Sequence, residues 1–535
     1  MRSFLKSIHF DRAGLALLGL CGLTTLPLLV VVSGLGMADA DIWAHLVDNQ
    51  LFELVRNTVG LVVLTALFAL LIGASLAWLV AMYDFPLRKY LQWLLVLPLA
   101  VPAYVMAFAQ LGLFDYTGVI QTYLRGLTGH DVQAYFPLRS MVGVAWVMAL
   151  AFYPYVYLLA RNAFGTMGRR ALEVGQSLGC SPRQSLVRVA LPMARPWLAG
   201  GVMLVVMETL SDFGAVSIFN FDTLTTGIYK AWFALFSLPT AQQLAALVLL
   251  VVIVVVVLER YWQARRRYVA VGSSAAAQRT VLRGWAAWRA TAWALLILMF
   301  AFVLPIGQLL WWAWPNLAVD LNTDFLGFVR GSLGLSGMAA ASVVIVALCL
   351  SWARRRTTSP FAPTLVTLST IGYAVPGTVL AVGVFVPVAW LDNQLLAYLP
   401  NDAGAILKGS LWVMMWAYVV RFLAVGYSSV DAAMQRVTVS QEQAARSLGV
   451  SGLALLRRLH LPLMRGGLWT ALMLVFIDVM KEMPITLMTR PLGWDTLSVR
   501  IFSLTTEGLW QEAALPALAL IVVGVLPVIY VARQR

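Results

Sequence analysis

The sequence predicts an all-α integral membrane protein with about twelve transmembrane helices, arranged as two six-helix repeats. Composition is the first observation behind this prediction, because 61% of the 535 residues are hydrophobic and only 12% are charged. The second is a series of apolar runs of about 18 residues or more, the length that a helix needs to cross a bilayer. Since lipid offers no partner to backbone polar groups, such runs must be helical. The third is that the second half of the chain repeats the first.

The apolar runs follow one another along the whole chain. They lie near 14–34, 55–82, 91–113, 141–161, 197–218, 241–259, 289–312, 333–353, 364–390, 411–427, 467–489 and 515–532. The first run is similar to a secretory signal followed by small residues at 38–40, but it is longer than a usual signal core. A matching run also opens the second half. We therefore expect the first run to be retained as a transmembrane helix.

The basic residues are concentrated in alternate loops. Most of the 38 Lys and Arg residues lie in one set of loops, whereas the opposite loops lean acidic. This positive-inside bias predicts that the basic loops and both termini lie in the cytoplasm. The net charge of +14 is thereby explained by membrane topology, and we do not expect nucleic acid as a partner.

Several segments recur at an offset of 270 to 274 residues. The recurring pairs are "VRNTVGL" from Val55 with "VRGSLGL" from Val329, "AVPAYVMA" from Ala100 with "AVPGTVLA" from Ala374, and "DTLTTGIY" from Asp222 with "DTLSVRIF" from Asp495. We predict a first repeat over 1–259, a basic cytoplasmic linker over 260–284 and a second repeat over 285–535. Because each repeat has an even number of helices, both have the same orientation, related by a pseudo-two-fold axis along the membrane normal.

One recurring segment is basic instead of apolar. "SLGCSPRQSLVRVALP" at 177–192 and "SLGVSGLALLRRLHLP" at 447–462, called here the cytoplasmic segments, follow the fourth helix of each repeat. In each, the glycine suits a left-handed helix end, the serine two positions later can cap a new helix, and the final proline is expected to close that helix. An amphipathic helix lying on anionic lipid is one interpretation. The identical spacing in both repeats favours the other, docking to a pair of identical partner sites.

The same spacing resembles the signature loop of ABC importer permeases, in which Glu-Ala-Ala precedes the glycine and Leu-Pro ends the motif. The first repeat has Glu173 but not the two alanines, and the second has Gln443 at the glutamate position with Glu442 one residue earlier. The resemblance implies a type I importer fold and a coupling helix that contacts an ATPase subunit. The implied ATPase-coupling residues are Glu173, Gly179, Ser181, Arg188, Leu191, Pro192, Gln443, Gly449, Ser451, Arg458, Leu461 and Pro462.

The chain itself is not expected to be an enzyme or to bind a cofactor. It has no G-x-x-x-x-G-K-[S/T] phosphate loop, because "GAILKGS" from Gly404 has the wrong spacing. ATP is therefore expected to bind a partner, a cytoplasmic ABC ATPase homodimer. An ion-driven secondary transporter is a second reading, but such proteins carry their cytoplasmic signature after the second helix, where this chain has only "YDFPLRKY".

Charged residues recur within the fifth helix of each repeat. They are Glu208 and Asp212 in the first repeat, and Asp478, Lys481 and Glu482 in the second. A charge at the centre of a bilayer costs roughly 2.5–3.5 kcal/mol. We therefore expect each of these residues to have either a partner of opposite charge or a function in transport. They could be structural, with Lys481 as a counter-ion, or they could form a candidate substrate path for a hard, multivalent cation.

The sequence around these carboxylates resembles fused iron(III) importer permeases. The stretches are "SDFGAVSIFNFDTLTTGIYKAWF" from Ser211 and "KEMPITLMTRPLGWDTLSVRIF" from Lys481. The resemblance implies a multi-pass protein of the bacterial inner membrane that receives iron(III) from a periplasmic binding protein. Transient iron contacts are then expected at Glu208, Asp212, Asp478 and Glu482. Related fused permeases move thiamine, polyamines or phosphonates, and these substrates stay open.

Overall fold

The computed structural model describes residues 11–36, 40–130, 135, 137–177, 179–264, 279–398 and 406–533. Within these ranges, the side chains of 40, 167–176, 182, 183, 259–264 and 526–533 are not described. The described chain is almost entirely helical, as predicted.

The first repeat contains most of its residues in long helices joined by short ones. The α-helices are Arg12–Ser33, Ala40–Asn49, Leu51–Met82, Arg88–Leu94, Ala103–Phe114, Val119–Thr128, Met141–Ser177, Pro182–Ser185, Leu191–Ser211, Gly214–Ile218, Leu224–Phe233 and Leu238–Ala264. The 3-10 helices are Gly34–Gly36 and Leu97–Ala100, and a π-helix covers Leu186–Ala190.

The second repeat has a similar but not identical order of elements. Its α-helices are Trp285–Leu298, Leu304–Asp320, Thr323–Arg356, Ala362–Ser369, Gly377–Leu396, Leu411–Arg436, Val439–Ser447, Gly452–Leu455, Leu461–Lys481, Pro484–Thr489, Leu497–Thr506 and Trp510–Arg533. A 3-10 helix covers Ile371–Ala374, and π-helices cover Met299–Val303 and Leu456–His460. Among the described residues, two short strands, Tyr83–Asp84 and Thr280–Val281, pair in parallel.

In the part of the chain that the structure describes, eleven helices are long and apolar enough to cross a membrane, and Trp510–Val525 is a shorter apolar helix. The twelfth span therefore stays a prediction. The repeat is visible in the elements themselves: Met141–Ser177 and Leu411–Arg436 begin 270 residues apart, and Leu191–Ser211 and Leu461–Lys481 match over their whole length at that offset.

The third apolar run of each repeat is broken instead of forming one continuous helix. A 3-10 turn ends before Val101 and before Val375, both of which are extended, and a new helix begins after Pro102 and after Pro376. Proline holds the preceding residue out of the helical region and supplies no N–H to the ladder. The recurring Ala-Val-Pro thus marks a break in the helix, which leaves backbone carbonyl groups for other partners.

Two of the recurring motifs contact each other within each repeat. In the first repeat the Thr58 hydroxyl accepts the N–H of Leu224 at 3.0 Å. At the equivalent place in the second repeat the Ser332 hydroxyl accepts the N–H of Leu497 at 2.7 Å. The hydroxyl residues belong to the "VRNT" and "VRGS" motifs and the leucines to the "DTL" motifs. The motifs recur together because each repeat uses the same side chain-to-backbone link.

The compact units of the structure divide the chain differently from the sequence repeats. Unit I comprises Met1–Ala44, Ile228–Leu250 and Leu321–Arg500, and unit II comprises His45–Gly227, Val251–Asp320 and Ile501–Arg535. In unit I, the Trp416 indole donates to the carbonyl of Leu23 at 3.0 Å. In unit II, the Gln110 amide donates to the carbonyl of Phe300 at 2.6 Å. The first long helix of each repeat therefore packs against helices of the other repeat.

Small residues allow the long helices of each unit to approach closely. In unit II a Cβ at Gly73 would lie 2.8 Å from Cβ of Val156, and one at Gly201 would lie 2.7 Å from its Cα. In unit I a Cβ at Gly467 would lie 2.4 Å from that of Ala433. Association of helices in lipid depends on such close packing, because lipid tails provide no hydrophobic drive.

Candidate functional site

Both glycines of the cytoplasmic segments have the left-handed conformation predicted for them. Their φ angles are +88° at Gly179 and +78° at Gly449. In the second repeat the N–H of Gly449 donates to the carbonyl of Arg446, and the N–H of Val450 donates to that of Ala445, each at 3.0 Å. These bonds end the helix Val439–Ser447 and turn the chain sharply. A Cβ would meet nothing within 4 Å at either glycine, so the φ angle is the constraint.

The two serines that follow the glycines behave differently. The Ser181 hydroxyl accepts the N–H of Gln184 at 3.3 Å, and the N–H of Ser181 donates to the Gln184 side chain at 2.9 Å, which is a capping box. Ser451 occupies the N-cap position but makes no side-chain capping bond. The capping prediction is thus confirmed for Ser181 only. Gly452, with φ of +59°, adds a second left-handed residue beside Ser451.

The expectation that Pro192 and Pro462 close a separate short helix is wrong. In each repeat a four-residue α-helix continues through a five-residue π-helix into a long helix, and the proline lies in that helix's first turn. The N–H of Leu191 donates to the carbonyl of Leu186, and that of Leu461 to Leu456. Each proline therefore follows a π-helical turn inside a continuous helix, where its missing N–H and its ring would otherwise break the α-helical ladder. Each cytoplasmic segment is therefore joined directly to a long apolar helix.

The cytoplasmic segments expose apolar side chains beside basic ones. The exposed fractions are 61% for Val187, 83% for Leu448 and 52% for Leu453. Arg188 and Arg458 are exposed as well, and so is Gln443. Apolar side chains presented with a charged rim are typical of an interaction surface. The Glu173 side chain lies outside the described part of the structure.

Glu442 is held inside the second repeat instead of being presented with Gln443. Its carboxylate lies 2.6 Å from Nε of Arg355, 3.5 Å from Arg446 and 3.4 Å from Nε2 of His460, and only 12% of its side chain is exposed. Arg355 also donates to the carbonyls of Met434, at 2.7 Å, and Val437. This cluster fastens the cytoplasmic segment to the end of the helix Thr323–Arg356. Sequence reasoning missed Arg355, although three consecutive arginines at 354–356 were the available signal.

Asp212 and Glu482 have the same local role, each capping a short helix after the fifth long helix. Asp212 Oδ1 accepts the N–H groups of Ala215 at 2.9 Å and Val216 at 3.2 Å. Glu482 Oε1 accepts the N–H of Ile485 at 3.1 Å. A carboxylate is stabilising at a helix N-terminus, where backbone donors lack partners. Capping a helix is a structural role, so Asp212 and Glu482 are at least partly structural, as one of the two interpretations of the sequence proposed.

The counter-ion of Glu482 is Arg421, which sequence reasoning missed. Its Nε lies 3.2 Å from Oε2 of Glu482, with 12% and 6% of the two side chains exposed. The contact is a charge pair and not an aligned hydrogen bond. Arg421 also donates to the carbonyl of Val375 at 2.7 Å, which the break before Pro376 leaves free. The equivalent position in the first repeat, 270 residues earlier, is Ala151, so the pair belongs to the second repeat alone.

Glu208 and Asp478 remain the candidates for contact with a substrate. Both side chains are partly buried, and the Tyr155 hydroxyl donates to Glu208 at 3.5 Å. Among the described residues, no three His, Cys, Asp or Glu side chains are grouped so that they could hold a metal ion. Transient iron contacts at Glu208, Asp212, Asp478 and Glu482 therefore stay a prediction, and these contacts assign no role to Lys481.

Comparison with known proteins places the chain among membrane transporters. Residues 69–268 match the family described as "binding-protein-dependent transport system inner membrane component". The Fe(3+)-transport system permease protein FbpB 2 of Haemophilus influenzae is 25% identical over 90% of this chain and 89% of its own length. The sulfate transport system permease protein CysT of Salmonella typhimurium is 30% identical over 38% of this chain and 72% of its own length.

These similarities agree with the helices and with the cytoplasmic segments. The apolar helices and the family both indicate a multi-pass protein of the inner membrane. The relatives are permease subunits and not enzymes. The chain therefore belongs to the family of binding-protein-dependent transport system inner membrane components, as the permease of an ABC importer.

Proposed function

We propose that this permease moves iron(III) from a periplasmic binding protein into the cytoplasm, driven by a separate cytoplasmic ATPase dimer. In this proposal both termini and both cytoplasmic segments face the cytoplasm, as the distribution of Lys and Arg predicts. The ATPase dimer docks on 177–192 and 447–462, and its closure switches the permease between outward-open and inward-open states. Iron is the cargo and not a resident cofactor.

The observation that carries the choice of iron is similarity over both repeats. The Fe(3+)-transport relative matches 491 residues, which is 90% of this chain. The sulfate relative matches 204 residues, which is 38%. Glu208 and Asp478 support the choice, because carboxylate oxygens are preferred ligands of hard cations.

The connection between each cytoplasmic segment and its long helix supports the coupling mechanism. A load on the segment around Gly449 passes through the helical turns at 452–460 directly into Leu461–Lys481, which ends at Glu482. The first repeat has the same path from Gly179 to Asp212. A movement of either segment thus reaches the carboxylates of the fifth helix without an intervening loop.

Uptake of an oxyanion is the second candidate, because relatives are named for sulfate, 2-aminoethylphosphonate and molybdate or tungstate. An oxyanion would need unpaired positive charge along its path. Arg421, a largely buried cation of the second repeat, already contacts Glu482. The partly buried acids Glu208 and Asp478 would repel an oxyanion. Iron(III) therefore fits the described side chains better.

The test is uptake by the permease reconstituted in liposomes with its ATPase and binding protein. Radiolabelled iron(III), sulfate, molybdate and a phosphonate are supplied separately, and ATP is placed on the cytoplasmic side. We expect ATP-dependent accumulation of iron alone. Accumulation of an oxyanion without iron would disprove the substrate, and accumulation without the ATPase would disprove the energy source.

We also expect the double substitution Glu208→Gln and Asp478→Asn to lower iron uptake by about tenfold or more, since two attractive charges are lost. The binding of the ATPase should not change. The matched control is Glu53→Gln with Asp324→Asn, which removes two exposed carboxylates. Uptake at the normal rate in the first double variant would return Glu208 and Asp478 to a structural role.

A further inference from the structure

Three arginines line a cavity of about 370 Å³ in unit II. They are Arg88, Arg161 and Arg279, and the side chains of Gln92 and Trp93 lie beside them. The cavity lies next to the C-terminal end of the helix Leu51–Met82 and the middle of the helix Met141–Ser177, on the side that the basic loops assign to the cytoplasm. The proposed transport mechanism uses none of these residues.

Arg88 and Arg161 are held in place by contacts with other residues of the protein. Arg88, with 8% of its side chain exposed, lies 3.1 Å from Asp84 and donates to the carbonyl of Val80 at 3.2 Å. Arg161 donates to the carbonyl of Gln92 at 3.0 Å, and its guanidinium lies 5.1 Å from the centre of the Trp93 ring.

Arg279 reaches the cavity through the strand pair. Tyr83 pairs with Thr280 and Asp84 pairs with Val281, so Arg279, the residue before the second strand, lies near the connection from the first strand to the helix that begins at Arg88. The pKa of the Arg279 guanidinium is lowered, first because the protein removes part of its hydration and then because of the positive charge of Arg88, while Asp84 opposes the shift. The strand pair thus fixes Arg279, near the end of the linker, at a place where Arg88 repels its positive charge.

The cavity has more positive than negative charge. Asp84 pairs with Arg88. Within the described part of the chain, neither Arg161 nor Arg279 forms an ion pair with a carboxylate. Three guanidinium groups and one carboxylate leave an excess of two positive charges. Guanidinium groups bind phosphate well because they are planar, permanently charged and weakly hydrated.

In the second repeat, the position equivalent to Arg161 carries a charge pair formed within the protein. The residue 270 positions after Arg161 is Asp431, which lies 3.4 Å from Arg354. Arg354 also donates to the Tyr427 hydroxyl at 2.8 Å. Opposite charges therefore meet at this position in the second repeat, whereas Arg161 of the first repeat and Arg279 of the linker form no ion pair with a carboxylate among the described residues.

Exposed aromatic side chains indicate where this region lies relative to the bilayer. The exposed fractions are 69% for Tyr90, 83% for Trp285 and 63% for Trp288. Tyr90 belongs to the same short helix as Arg88, and Trp285 begins the helix that follows Arg279 after five residues. Trp and Tyr are enriched at the depth of lipid headgroups. Basic pockets between helices at this depth bind anionic headgroups.

We propose that the cavity of Arg88, Arg161 and Arg279 binds a phosphate-bearing anion, namely the headgroup of an anionic phospholipid. The bound headgroup joins three separate parts of the chain, which are the short helix Arg88–Leu94, the helix Met141–Ser177 and the end of the linker. Because that helix leads directly to Gly179, the lipid also steadies the base of the first cytoplasmic segment. Free inorganic phosphate has the same chemistry and is the other possible source.

The experiment is native mass spectrometry of the purified full-length chain in detergent. Phosphatidylglycerol, phosphatidylcholine and inorganic phosphate are titrated separately into the wild type and into Arg161→Gln and Arg279→Gln. The control Lys89→Gln removes an equal charge from the exposed neighbour of Arg88. Arg161→Lys keeps the charge but loses the planar guanidinium, so it serves as a second variant with a smaller expected loss if Arg161→Gln folds poorly.

We expect each glutamine variant to weaken phosphatidylglycerol binding by about fivefold, the effect of one basic residue near a membrane surface. Lys89→Gln should stay near the wild type, Arg161→Lys should lie between the wild type and Arg161→Gln, and phosphatidylcholine should bind weakly throughout. If inorganic phosphate alone shows the same dependence on the arginines, the site holds free phosphate and the lipid assignment is wrong. If binding in the glutamine variants equals that in Lys89→Gln, the proposal is overturned.

Discussion

Replacing both Gly179 and Gly449 with valine is expected to abolish ATP-driven transport while the chain stays folded in the membrane. Both glycines have positive φ angles, and a β-branched residue there stores about 2 kcal/mol of strain at each site. The backbone relieves this strain by adopting a negative φ angle. The helical turns that follow each glycine then point in a different direction. We expect ATP-dependent uptake to fall by at least about 100-fold, because about 2 kcal/mol of strain at each of two sites corresponds to a factor larger than that.

The control for this prediction is Gly466→Val in the helix Leu461–Lys481. Gly466 has no positive φ angle, and a Cβ there would meet nothing within 4 Å. It should transport normally, apart from a small loss of stability. Circular dichroism and gel filtration in detergent show whether the double variant is folded, and pull-down of the ATPase shows whether docking is lost. A folded double variant that transports at the normal rate would refute the coupling role of both segments.

Replacing Arg421 with methionine is expected to destabilise unit I by about 3–5 kcal/mol, because it leaves the buried Glu482 carboxylate without its counter-ion. The carbonyl of Val375 loses a donor in the same variant. Glu482 is fixed by its bond to Ile485 and by contact with Gly377, where a Cβ would lie 2.6 Å from its oxygen. The carboxylate therefore cannot move to water, and the melting temperature of the purified protein should fall by many degrees.

The double variant Arg421→Met with Glu482→Gln separates the charge from the packing. We expect it to recover part of the lost stability, since the unpaired charge is gone and the amide oxygen can still accept from Ile485. Arg356→Met, at an exposed arginine, is the control for the general effect of the substitution. If Arg421→Met melts like Arg356→Met, the pair contributes nothing to stability.

The sequence was sufficient for the features that depend on local chemistry. Most apolar runs long enough to cross a bilayer became continuous helices, because lipid leaves the backbone no alternative, and the third run of each repeat is the exception. Gly179 and Gly449 adopted the left-handed conformation because the only residue without a Cβ stands at each helix end. The duplication was also readable, since it needs only a comparison of the chain with itself. Each of these features is decided by neighbours along the chain.

The role of the two prolines was predicted wrongly because it depends on the conformation of the residues around them. Pro192 and Pro462 can end a helix or occupy its first turn, and the periodicity of the neighbouring residues permits both. The π-helices at Leu186–Ala190 and Leu456–His460 decide between the two. Their wider turns have no distinct hydrophobic pattern, so the continuous path into the long helices was visible only in three dimensions.

What the sequence determined by itself is the class of the protein: a duplicated, multi-pass permease in which a basic segment of equal spacing occurs once in each repeat. What only the tertiary structure decided is which charges meet. Arg421 pairs with Glu482, Arg355 pairs with Glu442, and Arg279 lies near Arg88. These partners are about 60 to 190 residues apart, and no periodic pattern links them. Electrostatic interactions depend on distance in space, and in this chain that distance is set by helices packed from both repeats.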